Sequence, residues 1–134
     1  MIDRDSIDAW LADYIAAWKS YDRDDVGALF SDDIAYRYHP EDEPIVGREK
    51  VVEAWMGEDT PDPASDRDAP GTYDAEYRAV AVDGDTAVAV GVSTYSDEPG
   101  GPVAKTFDNC FVMRFDDVGR CREFTEWFVE RKSA

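Results

Sequence analysis

A single histidine, His39, stands directly before Pro40. An imidazole with an ordinary pKa of about 6.5 can take or give a proton at neutral pH, which makes His39 a candidate catalytic acid or base. The plainer alternative is a rim histidine that titrates without consequence, since strand alternation sets it opposite the face of Tyr36 and Tyr38. Asp108 and Asn109 sit side by side in an aromatic segment, so one must point to each face of a strand. Phe107, Asn109, Phe111, Met113 and Phe115 form the more apolar set, which favours Asn109 as the inward, cavity-lining group. An amide there could orient a ligand by hydrogen bonds, whereas a buried Asp108 would have a raised pKa and could act as acid or base. The alternative for Asp108 is a structural acid paired near Arg78 or Lys105. Glu126 shares a face with Phe124 and Phe128, the outer face if the strand is regular, and reads as an interface residue or an ion pair with Arg114. A β-bulge would reverse that assignment.

Six further aromatics, Tyr14, Trp18, Tyr36, Tyr38, Trp55 and Trp127, are numerous enough to line a pocket. Rings bind flat apolar ligands, and phenol and indole groups fix their orientation. Core packing is the competing role for each ring singly; together they favour a small apolar molecule, cyclic or aromatic. One histidine and two separated cysteines do not make a zinc site, and no Walker loop, dinucleotide fingerprint or nucleophile elbow is present. Asp22, Asp24 and Asp25 lack the spacing of a calcium loop and read as helix caps. No cofactor and no metal is implied.

These groups must be positioned by one domain spanning residues 1–134, a length that buries about two-thirds of its surface. Thirty-one acidic against fourteen basic residues give a net charge of −17, which repels phosphate backbones and anionic headgroups, so nucleic acid and membrane surfaces are poor partners. Twenty-one of the acids are Asp and only four of the bases are Lys, a balance that suits solvation in salt. Removing salt is expected to lower the melting temperature by unscreening self-repulsion. A melting temperature flat from low to molar salt contradicts this. Cys110 and Cys121 read as free thiols, and no apolar run has signal or membrane-span length, so a cytoplasmic location is expected.

Ile7, Trp10, Leu11, Tyr14, Ile15 and Trp18 recur at helical spacing and predict a helix from about Ser6 to Tyr21, capped by Asp5 or Ser6. A short helix follows from Asp24 to Phe30, then a strand from Ile34 to Tyr38 and a loop from Glu41 to Val46. A third helix runs from Gly47 to Gly57 and an exposed connection from there to Gly71. Four antiparallel strands then span 72–82, 86–95, 105–115 and 120–130. The order predicts an α+β fold, with helices packed on one face of a curved sheet. The sheet is apolar on both faces and needs a second cover, supplied by another subunit or by its own curl.

Trp10 to Trp18, the run Leu29-Phe30-Ser31-Asp32-Asp33-Ile34-Ala35-Tyr36, Pro44 to Glu49 leading into Trp55, Asp108 to Arg120, and Glu126-Trp127-Phe128 follow in an order that resembles the nuclear transport factor 2-like superfamily, in its SnoaL-like (polyketide cyclase-like) branch. The resemblance spans nearly the whole chain. It implies a cone-shaped α+β barrel of three N-terminal helices on a mainly antiparallel sheet, open at one end to an apolar pocket, in a homodimer packed through the outer sheet face. The activities it implies are cofactor-free isomerisation, cyclisation or dehydration, and the alternative is a non-catalytic module for ligand sensing or protein association. One departure matters: relatives of this kind that are catalytic commonly carry an Asp two residues after the last-strand aromatic, where this chain has Val129 after Trp127.

Overall fold

The computed structural model describes residues 1–58, 60–62 and 67–132. Helix α1 spans Arg4–Ser20, starting two residues earlier than its apolar face predicts, because Asp3 rather than Asp5 or Ser6 caps it: the Asp3 carboxylate accepts from the Ser6 N–H and the Ser6 hydroxyl accepts from the Asp3 N–H. Ile7, Trp10, Leu11, Tyr14 and Ala17 turn inward at helical spacing. Helix α2 (Arg23–Gly27) is capped by Asp22, whose Oδ1 accepts from the Asp24 and Asp25 N–H groups, in keeping with the capping role read for this acidic run. It stops short of Phe30, which opens strand β1 (Phe30–Arg37). Ser31 to Asp33 are thus part of a strand, but an irregular one, since the register against the last strand shifts between Phe30 and Ala35. The expected loop before the third helix contains a two-residue edge strand, β2 (Ile45–Val46), and helix α3 (Arg48–Trp55) follows.

Strands β3 (Tyr73–Asp83), β4 (Thr86–Ser96), β5 (Val103–Phe115) and β6 (Cys121–Glu130) form the predicted meander. The six strands run β2-β1-β6-β5-β4-β3. Every pairing is antiparallel except β1 with β6, and the sheet is not closed into a barrel: β2 and β3 remain its edges. The α+β architecture of helices on a curved sheet holds, and the cone is a wrapped open sheet. The expected connection from 57 to 71 falls partly on residues 59 and 63–66, outside the described residues; of its described part, Arg67 and Asp68 are half-buried rather than exposed.

Cross-strand partners share a face. Phe111 pairs with Glu126, Met113 with Phe124 and Asn109 with Phe128, so Glu126 and Phe128 lie on the inner face with the buried Phe124. This reverses the sequence reading of β6. The cause is an irregularity at its start, where Arg114 faces Glu123 but Phe115 faces Cys121, so Cys121 and Phe124 both point inward despite their odd separation. Trp127 therefore falls on the outer face, 43% exposed.

One end of the inner face is filled. There Trp10 and Tyr14 meet Phe111, Phe115 and Phe124 at ring-centroid distances of 5.4 to 6.4 Å. The buried Ala87 and Ala89 on β4 leave room for this packing. The outer face carries the cross-strand rows Val88, Val112, Thr125 and Val90, Cys110, Trp127, half-buried or exposed. Cys110 and Cys121 are both free thiols, and burial pushes the Cys121 thiol far up, so it is inert.

Candidate functional site

The other end of the inner face is hollow. A partly open cavity of about 560 Å³ lies between α1, α3 and the far halves of β4, β5 and β6. Six of the residues proposed from sequence line it: Tyr14 and Trp18 from α1, Tyr36 and Tyr38 from the end of β1, Trp55 from α3 and Asn109 from β5. Three do not. Asp108 points to the outer side, exposed and held in a two-pronged ion pair with Arg131 at 2.9 Å, which keeps its carboxyl below the usual carboxylate range. Trp127 faces outward. His39 sits at the rim, its Nδ1 3.1 Å from Asp42 Oδ2 and its ring 5.1 Å from that of Phe128, which does line the cavity.

Sequence reasoning missed Glu126 as a cavity residue, together with Tyr77, Ser93, Tyr95, Phe107 and Phe128. A signal for Glu126 was present: it alternates with two phenylalanines opposite the β5 face already read as inward. Among the described residues, Glu126 is hydrogen-bonded by the Asn109 side chain, whose Nδ2 donates to its Oε2 at 2.9 Å. Asn109 is 7% exposed, and its Oδ1 accepts from the Ser93 hydroxyl at 2.9 Å. Burial pushes the Glu126 carboxyl up to about 7; the Asn109 hydrogen bond and the field of His39 oppose that rise without cancelling it.

Phenols surround this carboxyl. Burial, first, and then neighbouring phenols and Glu126 push Tyr14 and Tyr36 well above the usual phenol range, and Tyr77 is raised by burial and Glu126. All three stay neutral O–H groups at any physiological pH. Tyr14 acts on the Tyr36 oxygen in the sense that favours its charged form. The Trp55 Nε1–H is buried, completes no hydrogen bond with the described residues and so has donor capacity to spare. Nearer the mouth, Asp68 Oδ2 accepts from Trp18 Nε1 at 3.0 Å, fixing that indole 6.1 Å from the ring of Tyr95. The arrangement can hold a flat apolar molecule between rings, offer neutral donors to one polar atom on it, and take or return a proton at Glu126. Among the described residues no three His, Cys, Asp or Glu side chains converge to hold a metal, and no helix is long and apolar enough to cross a membrane.

A family model described as a SnoaL-like domain matches residues 11–124. Among solved structures, a protein from Kribbella flavida described as a candidate ketosteroid isomerase superposes with a TM-score of 0.65 at 18% identity, over 98% of this chain and 84% of that one. An NTF-2 like protein of unknown function from Burkholderia xenovorans gives the same TM-score and identity over 97% and 88%. No protein of curated function matches the chain significantly. The structural neighbours share the fold, and the match over most of the chain places this protein in the SnoaL-like domain family.

Proposed function

We propose that the chain binds a small, ring-bearing apolar carbonyl compound in this cavity and moves a proton on it without a cofactor, as an isomerase, cyclase or dehydratase does. The observation that carries the reading is a carboxyl of raised pKa, Glu126, facing a cavity walled by rings and neutral phenols. As carboxylate, Glu126 takes a proton from the carbon next to the carbonyl; the electron pair moves onto the carbonyl oxygen, and a phenol O–H of Tyr14 or Tyr36 stabilises the charge there. Glu126, now protonated, returns the proton to carbon, so nothing is consumed. It fills the role left open by Val129 from three residues earlier on the same strand and on its inner face, whereas Val129 is exposed on the outer face. The structural likeness to a candidate ketosteroid isomerase agrees with this class of reaction.

The test is hydrogen exchange into cyclic ketones in heavy water, followed by proton NMR. Exchange is expected to be faster than in protein-free buffer and to rise with pH through about 7 as the Glu126 carboxylate forms. A rate equal to buffer across the panel would defeat the reading. His39→Ala is expected to change the rate by less than about threefold, because the imidazole acts on Glu126 through its field and stands at the rim against Phe128; a loss of about a hundredfold would move the proton transfer to His39.

The exposed Trp127 and Val129, continuous with the row of Val90 and Cys110, favour a homodimer packed through the outer sheet face. Wild type should sediment as a dimer and Trp127→Asp as a monomer. A monomeric wild type at millimolar concentration contradicts that partner. A cytoplasmic location belongs to the same reading.

A further inference from the structure

We infer that Ser93 is a positioning residue for Glu126, acting through Asn109; the inference rests on the reading of Glu126 as the proton carrier. The three side chains come from three consecutive strands: Ser93 on β4, Asn109 on β5 and Glu126 on β6. Ser93 is 2% exposed and Asn109 7%, so neither finds bulk water as an easy alternative partner.

An amide is directional: its oxygen only accepts and its nitrogen only donates. The Ser93 hydroxyl donates to Asn109 Oδ1 at 2.9 Å and Asn109 Nδ2 donates to Glu126 Oε2, also at 2.9 Å, so one line of donors runs through the amide to the carboxylate. In that orientation Asn109 supports the charged carboxylate. Turned over, it would present its oxygen to Glu126 and support the protonated carboxyl instead. By donating to the amide oxygen, Ser93 polarises the amide and strengthens the Nδ2 hydrogen bond to the carboxylate, so it favours the charged form of Glu126. Neither sequence spacing nor strand pairing announces this role, because Ser93 pairs directly with Phe107 and reaches Asn109 only diagonally.

The groups acting on or bonded to Glu126 are Tyr14 from α1, Tyr36 from β1, Tyr77 from β3, Tyr95 from β4, Asn109 from β5, and His39 beyond β1. The phenols stay neutral below about pH 10, and His39 acts on Glu126 through its field. The titrations are therefore run in wild type and repeated in a His39→Gln background.

The experiment follows the Glu126 side-chain carbon by carbon-13 NMR in glutamate-labelled full-length protein, its resonance identified by its loss in Glu126→Gln. Ser93→Ala is expected to raise the Glu126 midpoint by roughly 0.5 to 1 pH unit, the worth of one hydrogen bond. Ser93→Thr keeps the hydroxyl, suits a strand and has the cavity for its extra methyl, and it should restore the wild-type midpoint. Melting curves confirm that both variants fold. A Ser93→Ala midpoint equal to wild type, or a Ser93→Thr midpoint raised as far as that of Ser93→Ala, overturns the inference. A wild-type midpoint near the ordinary glutamate value defeats instead the proton-carrier reading, and the serine's influence is still read from the difference between the two variants.

Discussion

Glu126→Gln is expected to give a more stable protein that no longer moves protons. The folded-state pKa of Glu126 is raised from 4.5 to about 7 by burial. Below pH 4.5 the group is protonated in folded and unfolded chains alike, and burial costs it nothing. As pH rises to 7 the unfolded chain releases the proton while the fold retains it, so stability falls across that window by about 1.4 kcal/mol per pH unit. With partial solvent access the total loss is about 2 to 3 kcal/mol. Glutamine keeps the shape and an acceptor for Asn109 Nδ2 but has no charge to bury. In urea unfolding, the variant should match wild type at pH 4 and exceed it by about 2 kcal/mol at pH 8. The paired carboxylates, Asp85 with Arg114 and Asp108 with Arg131, have lowered pKa values and act at more acid pH, so they do not confound the comparison. The same substitution should slow exchange into ketones by about 10² to 10⁴. A stability gap equal at both pH values would contradict the burial of a titrating carboxyl.

Gly91→Ala is expected to be the most damaging single-methyl change in the sheet. Gly91 pairs with Tyr77 on one side and Asn109 on the other. A Cβ built there would lie 2.0 Å from the Glu76 carbonyl oxygen and 2.5 Å from Tyr77 Cδ1. Both are far inside any tolerable contact, and one of the two is backbone, so β3 must move away from β4. The expected loss is more than about 4 kcal/mol in urea unfolding, with Tyr77 displaced from the cavity wall. A loss within about 1 kcal/mol would show that the two strands do not approach as described. The missing side chain lets β3 lie close against β4 beside Tyr77, which lines the cavity, so this glycine helps set the shape of the site.

The helices were legible because their apolar faces are long and regular: Ile7 to Trp18 admits little besides a buried helical face. The meander was legible from alternation and from turns at Asp83-Gly84 and Asp116 to Gly119. The inward rings of α1, β1 and α3 followed, and Asn109 with them. Strand β6 was not, since alternation fixes which residues share a face but not which face is inside. Phe124, Glu126, Phe128 and Thr125, Trp127, Val129 are both credible inner sets, and Trp127 made the wrong one attractive. Only pairing with β5 decides it, because Phe111 is fully buried and Glu126 lies directly opposite. Asp108 was misleading for a related reason: a carboxyl in an aromatic segment looks buried until Arg131, beyond the end of β6, is seen to hold it outside. The parallel pairing of β1 with β6 joins residues nearly ninety positions apart, a contact no local pattern encodes.

A crystal structure of the protein saturated with a bicyclic aromatic ketone such as 1-tetralone would test the account most directly. The ligand is expected between the rings of α1 and β4, its oxygen within about 3 Å of the Tyr14 or Tyr36 hydroxyl, with the carbon beside the carbonyl facing Glu126. An interior closed by its own side chains, or a ligand bound only elsewhere, would contradict it.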